Sequence, residues 1–551
     1  MAPGELGSPG AVFSRFAFST QVERPERFSR EPCQKTPVRL LKLEVNCEFV
    51  HHLDSNLQCV REECGVTWKE RWQQEGGGRE LLRLALPLIL SSSFLTLQLF
   101  IDRVLLSRAS SAAVAASMPA ALLYWTLLTL LQNTASYATT FVAQYTGAGR
   151  LHRVGPAVWQ SLYFSVVAGL VFLALLPLAH SLVALGGHSA EIQELEATYF
   201  RCLTFAALPA LIVYSVNSFF AGRGDSWTVL LIDAVGLSVN AILAYALISG
   251  HWGLPALGIA GAGTATVIGS STSAVLALVL FFRPRYRIVY GTLSGWRFDS
   301  DLFRRLMRFG FPNGIQWMLD AFAFTVFLFL VGRLGEVALA ATNIAFAINF
   351  LGLVPMLGMG QAVGVLVGQR LGQDRPELAE RSAWTGFRMA ALYVCAMGVL
   401  YALAPGVFVW FFESEHDGHW PAVAQAVPVL LRFVAVYCAF DSMSIVFSFA
   451  LRGAGDTRFV TVVVLTLAWP LMVLPTWAAW YFGWGLYWAW AFASAYIIAL
   501  GFTFLFRFRM GRWKTMRVIE KAPPPERKPT LDGWTEKLQP VIASLLPRES
   551  T

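Results

Sequence analysis

Twelve long apolar stretches between residues 81 and 510 constrain this chain more than any other feature. Each is near the ~20 residues a helix needs to cross the hydrocarbon core of a bilayer. The approximate spans are 84–106, 112–140, 158–181, 198–220, 228–250 and 257–282, then 306–331, 338–363, 385–411, 422–448, 459–480 and 484–507. Lipid offers no partner to a free backbone N–H or C=O, so only helices and closed barrels cross it. Uninterrupted apolar runs of this length are not the short alternating segments of barrel strands. The expected fold is an all-α polytopic membrane protein. Composition agrees: 14% of residues are charged, against roughly 25% in a soluble domain. The cause is physical, because a charge at mid-membrane costs about 2.5 kcal/mol or more.

The net charge of +8 would suggest nucleic acid in a soluble chain. Its placement points to topology instead. Loops 3–4 and 9–10 carry acids, with Glu191, Glu194 and Glu196 in the first and Glu413, Glu415 and Asp417 in the second. Loop 2–3 has Arg150 and Arg153, and loop 6–7 has Arg283, Arg285, Arg287, Arg297, Arg304, Arg305 and Arg308. The exit from the last span adds Arg507, Arg509, Arg512, Lys514 and Arg517. All basic loops fall on the side of both termini, so the positive-inside rule places both termini in the cytoplasm of a bacterial inner-membrane protein. Residues 1–80 read as a disordered tail, or as upstream sequence from a wrong start choice. Residues 511–551 read as a second tail, with at most a short amphipathic helix near 534–546. Cys33, Cys47, Cys59 and Cys64 lie in the first tail, and Cys202, Cys395 and Cys438 lie in apolar stretches. Their spacing fits neither a disulfide framework nor a zinc site.

The chain repeats itself. LRLALPLI around Pro87 matches MRFGFPNG around Pro312 at an offset of 225 residues. Arg108 with Arg333, and Gln144 with Gln369, keep that offset. FFAGRGDSW around Asp225 matches FALRGAGDTRF around Asp456 at an offset of 231. Two six-span bundles follow, 81–282 and 305–510, joined by a basic linker at 283–304. Parallel repeats of this kind place a pathway between the halves and can alternate access by rocking one against the other.

Polar residues inside the spans mark candidate chemistry. Asp320 and Asp441 sit mid-span with no base nearby in sequence. Such acids must face a polar cavity, find a partner or be neutralised. Proton exchange and sodium binding are both open to them, sodium with hydroxyl and carbonyl oxygens as co-ligands. Tyr437 is one turn before Asp441 and shares its face. Asp102 is near the outer end of span 1, either paired with Arg103 or lining a cavity. Asn313, Gln316, Trp317 and Phe324 in the second half, and Tyr124, Asn217 and Asn240 in the first, are candidate cavity residues. Asp233 reads as an acid that interacts with the nearby start of span 5. The GAGR, GRGD and RGAGD segments lack the preceding strand and Lys–Ser/Thr ending of a nucleotide loop, so they read as turns and gating contacts.

These residues together resemble the MATE (multidrug and toxic compound extrusion) family over roughly residues 80–510. The likeness rests on the span openings at Pro87 and Pro312, FVAQ…GAG at Gln144 and ALRGAGDT at 450–457. It implies twelve helices in two pseudo-symmetric six-helix bundles, and efflux of drugs or toxic compounds driven by sodium or protons. Asp320 stands where the family carries a span-seven acid, often Glu. Asp441 matches the span-ten acid before the RGAGD turn. Asp102 matches the span-one acid that follows the proline by fifteen residues. This combination is similar to the NorM-like branch. Another branch has an Asn and an Asp four apart in span 5, but here Asn240 is followed by Ala244.

The expected protein is therefore an antiporter of small organic substrates, lipophilic cations foremost, with no cofactor beyond a transported sodium ion or proton. It is expected to act as a monomer in the bilayer, without nucleic-acid partners and without enzyme activity. Asp320 and Asp441 are the expected ion site, sodium included. Two alternatives remain: an exporter of a lipid-linked or polar metabolite on the same scaffold, and an uncoupled channel or membrane scaffold.

Overall fold

The computed structural model describes residues 68–184, 187–412 and 420–520. Residues 1–67 with their four cysteines, the acids Glu413, Glu415 and Asp417, and the 534–546 segment lie outside the described residues. Among the described residues there are helices and turns but no strands.

Among the described residues, twelve helices are long and apolar enough to cross a membrane. The first six are Gly78–Ala109, Ser111–Gly147, Leu151–Ala184, Ala190–Gly222, Ser226–Ser249 and Ile259–Phe281. The second six are Ser300–Gly332, Glu336–Gly372, Pro376–Leu403, Trp420–Ala454, Thr457–Tyr481 and Leu486–Arg509. They are spans 1 to 12 below. Several begin earlier than hydropathy suggests: span 9 starts at 376 rather than 385, and span 4 at 190 rather than 198. Hydropathy marks only the lipid-buried part, whereas a helix continues until a cap ends it. Span 7 shows this. The Asp299 carboxylate accepts from the Leu302 N–H at 3.0 Å, so a polar first turn precedes the apolar run.

Both polar margins hold more structure than their composition suggests. Residues 68–80, placed in the tail above, contain a short helix, Trp68–Gln73, before span 1 begins. Glu80 then accepts from Arg370 on span 8 at 2.7 Å. Residues 511–520, also placed in a tail, form an ordered strap. Trp513 is buried, stacks on Phe508 at 4.6 Å and donates to the Phe508 carbonyl at 2.7 Å. The linker is pinned to the first half. Trp159 donates to the Thr292 carbonyl at 2.8 Å, and the Arg223 guanidinium lies over Phe219, Tyr286 and Tyr290 at 4.3, 4.5 and 4.6 Å.

Among the described residues, hydrogen bonds join the halves at the end bearing the Arg-rich loops, the basic end. They form a symmetric exchange. Gln144 donates to the Gly453 carbonyl of the second half at 3.0 Å. Its repeat equivalent Gln369 donates to the Gly222 carbonyl of the first half at 2.8 Å. The neighbouring glycines complete the fit. A Cβ on Gly147 would lie 1.9 Å from the Gln369 carbonyl oxygen, and one on Gly372 would lie 2.2 Å from that of Gln144. Only glycine lets the backbones approach this closely. Deeper in, Asn313 donates to the Asn133 carbonyl at 2.9 Å, and Gly314 seats on the Leu130 carbonyl. The molecule is thus closed at its basic end by the motifs that repeat.

Candidate ion site and its surroundings

Asp320 on span 7 is the centre of the best-defined polar cluster. Gln316, one turn earlier, donates its amide to one carboxylate oxygen at 2.8 Å. Tyr496 on span 12 donates to the other at 3.3 Å. The Gln316 carbonyl in turn accepts from the Arg452 guanidinium on span 10 at 2.7 Å. The amide of Gln316 therefore has one orientation, with oxygen toward the cation and nitrogen toward the anion. Arg452 is 7% exposed and lies over Trp317 at 5.1 Å and Phe449 at 4.9 Å. A guanidinium this deep needs a countercharge, and Asp320 supplies it through Gln316.

Asp441 on span 10 accepts no hydrogen bond from a described residue. Tyr437, one turn before it, is buried and within its electrostatic range. Tyr496, which hydrogen-bonds Asp320, is also within electrostatic range of Asp441. Two carboxylates against one guanidinium leave this pocket net acidic when both are ionised. Its oxygen ligands are carboxylate and phenol, a hard set that suits sodium or a proton rather than a soft metal. Among the described residues no cluster of three His, Cys, Asp or Glu side chains could hold a metal.

The remaining candidates fall into separate groups. Phe324 packs edge-on against Phe346 at 4.8 Å, and Phe346 stacks on Trp490 at 4.9 Å. This aromatic column joins spans 7, 8 and 12. Trp490 is therefore a core residue, unlike the exposed Trp477, Trp484 and Trp488. Asn313 serves the junction between the halves rather than a wall of the ion pocket.

In the first half, Asp102 is 3% exposed. It does not pair with Arg103, whose guanidinium donates to Met118 Sδ at 3.1 Å. Asp102 instead faces a small space shared with Ser117 and Tyr199. Tyr124 packs edge-on against Phe172 at 5.7 Å, inside the first bundle. Among the described residues no ring contact joins it to Trp317 or Phe324. Asn240 donates to Thr266 Oγ1 at 3.2 Å, and Ala244 is fully buried. Asn217 donates to Asp233 at 3.1 Å. Asp233 also accepts from Ser91 on span 1. The expectation for Asp233 needs correcting: it turns to neighbouring helices, not to the terminus of its own.

Sequence reasoning missed Tyr496, Arg452 and the Ser91–Asp233 contact. Nothing in WAWAFASAYIIAL distinguishes Tyr496 from lipid-facing aromatics. Arg452 had a signal, an Arg two residues before the end of span 10, but it also belongs to the RGAGD pattern that reads as a turn.

Comparisons with known proteins fit this geometry. A family model described as MatE matches residues 87–246 and 312–477, one match in each half. The multidrug resistance protein NorM of Burkholderia vietnamiensis is 30% identical over 407 residues, covering 73% of this chain and 87% of that protein. The probable multidrug resistance protein NorM of Burkholderia mallei is 31% identical over 410 residues, covering 73% and 86%. A solved structure described as the outward-facing conformation of a multidrug resistance MATE family transporter of the MOP superfamily superposes with TM-score 0.72 at 20% identity, covering 79% of this chain and 96% of that one.

Proposed function

Because the chain belongs to the MatE family, a family of membrane transporters, we propose that it exports drugs and toxic compounds by exchanging them for an inward-moving cation. The observation that carries the reading is the Asp320 cluster, a half-buried acid held by two neutral donors and balanced, among the described residues, through Gln316 by Arg452. Sodium or a proton at Asp320, with Asp441 and Tyr437 beside it, is the coupling ion.

The charge pattern supports an orientation with the basic end and both termini in the cytoplasm. On that orientation the arrangement described above is closed on the cytoplasmic side. A cation entering from outside neutralises the carboxylates and weakens their hold on a lipophilic cationic substrate near Trp317. Substrate and ion then disfavour each other through a shared acidic pocket, and linkage makes that effect reciprocal. When the protein reopens inward, the ion leaves and a new substrate is drawn to the restored charge. The net acidity favours cations over the anionic substrates of a lipid-linked exporter, because Arg452 is already compensated. The functional unit is the monomer.

The test is efflux of a fluorescent cation from proteoliposomes under a sodium or a pH gradient. Asp320→Asn and Asp441→Asn should each lower gradient-driven efflux about ten-fold or more, within the range a coupling free energy of ~1–3 kcal/mol allows. Unchanged efflux in both variants would refute the assignment.

A further inference from the structure

The linker between the halves carries a surface that the exchange mechanism does not use. It begins immediately beyond the end of span 6 at Phe281, at the level where hydrocarbon gives way to headgroups. Its inner side is fastened to the start of span 3. Gly155 donates its N–H to the Tyr290 carbonyl at 2.9 Å, and Tyr163 donates to the Trp296 carbonyl. The two segments touch closely: a Cβ on Gly155 would lie 2.5 Å from the Tyr290 carbonyl oxygen, and one on Gly295 would lie 2.7 Å from Pro156 Cδ. Tyr286, in the short helix Pro284–Val289, turns inward against the Arg223 guanidinium.

The outer side has a different character. Ile288 is 90% exposed, and Val289, Leu293, Trp296 and Phe298 are exposed with it. Arg283, Arg285, Arg287, Arg297 and Arg304 are exposed among and beside them. Among the described residues none of these five arginines pairs with a carboxylate, because the neighbouring Asp299 and Asp301 are taken by Arg153 and Arg305. Arginines alone would serve orientation, which needs no apolar side chains. Apolar side chains interleaved with unpaired arginines, on a backbone just outside a span, suit the surface of an anionic bilayer. The rings and branched chains enter the acyl boundary while the guanidinium groups meet phosphate. A depression opens in this surface beside Phe298, lined by Arg153, Arg297, Ser294 and Ser300. Its one acid, Asp299, already accepts from Arg153 at 3.2 Å. Two guanidinium groups and two hydroxyls there offer the donors that phosphate oxygens accept.

We infer that the linker is a binding platform for anionic phospholipid in the leaflet at the basic end. The lipid phosphate sits between Arg153 and Arg297, and Ile288, Leu293 and Trp296 lie among the acyl chains. A free phosphate would satisfy the same donors but would leave those apolar side chains in water. The site borders the closed end, because Arg153 also lies 3.5 Å from Glu520 of the strap after span 12.

The experiment uses the purified full chain in detergent, titrated with phosphatidylglycerol or with phosphatidylcholine of the same acyl chains. Native mass spectrometry counts the lipids retained. Wild type should hold phosphatidylglycerol about ten-fold more tightly than phosphatidylcholine. In the triple variant Arg285→Gln, Arg287→Gln, Arg297→Gln that preference should fall to near parity, since each arginine beside an anionic lipid surface is worth about five-fold. Arg297→Lys keeps the charge and should keep most of the preference. The pair Ile288→Ser, Trp296→Ser should weaken retention of both lipids and leave their ratio unchanged. No preference in wild type, or an undiminished one in the triple variant, overturns the inference. Displacement of the lipid by equimolar glycerol phosphate would overturn it too, because the site would then read a soluble phosphate rather than a lipid. Should the triple variant fail to fold, Arg297→Gln alone should lower the preference about five-fold, and no change there overturns the inference. The measurement imposes no gradient, so its outcome is independent of whether the chain exchanges substrate for a cation.

Discussion

Arg452 shows how a single side chain sets the logic of its surroundings. It is a cation placed deep among aromatic rings, and its countercharge is reached only through Gln316. Removing one member of a buried charge pair costs about 3 kcal/mol or more, because the other is left uncompensated. Arg452→Gln should therefore lower the thermal midpoint of the detergent-solubilised protein by several degrees. The diagnostic is the double variant. Asp320→Asn should recover part of the loss in an Arg452→Gln background, because it removes the orphaned anion. Strictly additive effects on the melting curve would show that the two charges do not communicate. The acid of this pair was legible in the sequence because a lone Asp amid Leu and Phe has no bland explanation in lipid. Its partners were not. Gln316 was found as a polar neighbour on the same face, but Tyr496 and Arg452 come from spans whose rotation no single helix determines. Asp233 was misread for the same reason, since Ser91 and Asn217 are remote in sequence.

At the scale of elements, the repeat carries an unexpected amount of structure. Matching Gln144 with Gln369 revealed a duplication, yet the pairing also describes a contact. Each glutamine reaches across to the other half's glycine carbonyl, and each neighbouring glycine receives the other's backbone. A sequence shows equivalence, not exchange, so the crossing could not be read in advance. Span existence was readable because lipid enforces ~20 apolar residues. Span starts were not, since caps such as Asp299 lie outside the hydrocarbon and hydropathy ignores them. The exchange makes a sharp prediction. Gly147→Ala and Gly372→Ala each insert a methyl where there is less than 2.5 Å of room. Overpacking of this kind costs about 1–3 kcal/mol, and the halves can escape it by separating at the basic end. Spin labels near the ends of spans 2 and 8 should report a longer distance in either variant. Gly406→Ala, where a Cβ meets nothing within 4 Å and φ is not positive, should leave that distance unchanged. A distance unaltered in all three would show that the glycines do not hold the closed end together.

At the scale of the whole molecule, the strap after span 12 breaks the symmetry of the exchange. Val518 donates its N–H to Gln144 at 2.9 Å, so the first half's glutamine is engaged twice and Gln369 is not. Two residues on, Glu520 gathers the two halves. Tyr145 of the first half donates to its carboxylate at 2.7 Å, and Arg305 of the second half does so at 2.7 Å. Arg150 donates to its backbone carbonyl at 2.9 Å, and Arg153 lies 3.5 Å from the carboxylate. Burial alone would push the pKa of this carboxyl up, but the hydrogen bonds from Tyr145 and Arg305 and the charge of Arg153 outweigh it. The result is a carboxyl held below its usual value of 4.5. The sign of the consequence follows from linkage. The docked strap binds a proton less readily than the free one, so its docking is fully stabilised above pH 4.5 and weakens as pH falls through the docked value. The strap should therefore release in acid, and release should free Gln144 and loosen the closed end. Cysteine accessibility at Val518→Cys measures this directly. Labelling should be slow at neutral pH and accelerate as the medium is acidified below about pH 4.5. Glu520→Gln should label quickly already at neutral pH and lose most of the pH dependence. Equal, pH-independent labelling in both backgrounds would show that Glu520 is not what fastens the strap. A strap that opens only in Glu520→Gln, with efflux faster than wild type, would identify docking as a brake on the step that reopens the basic end.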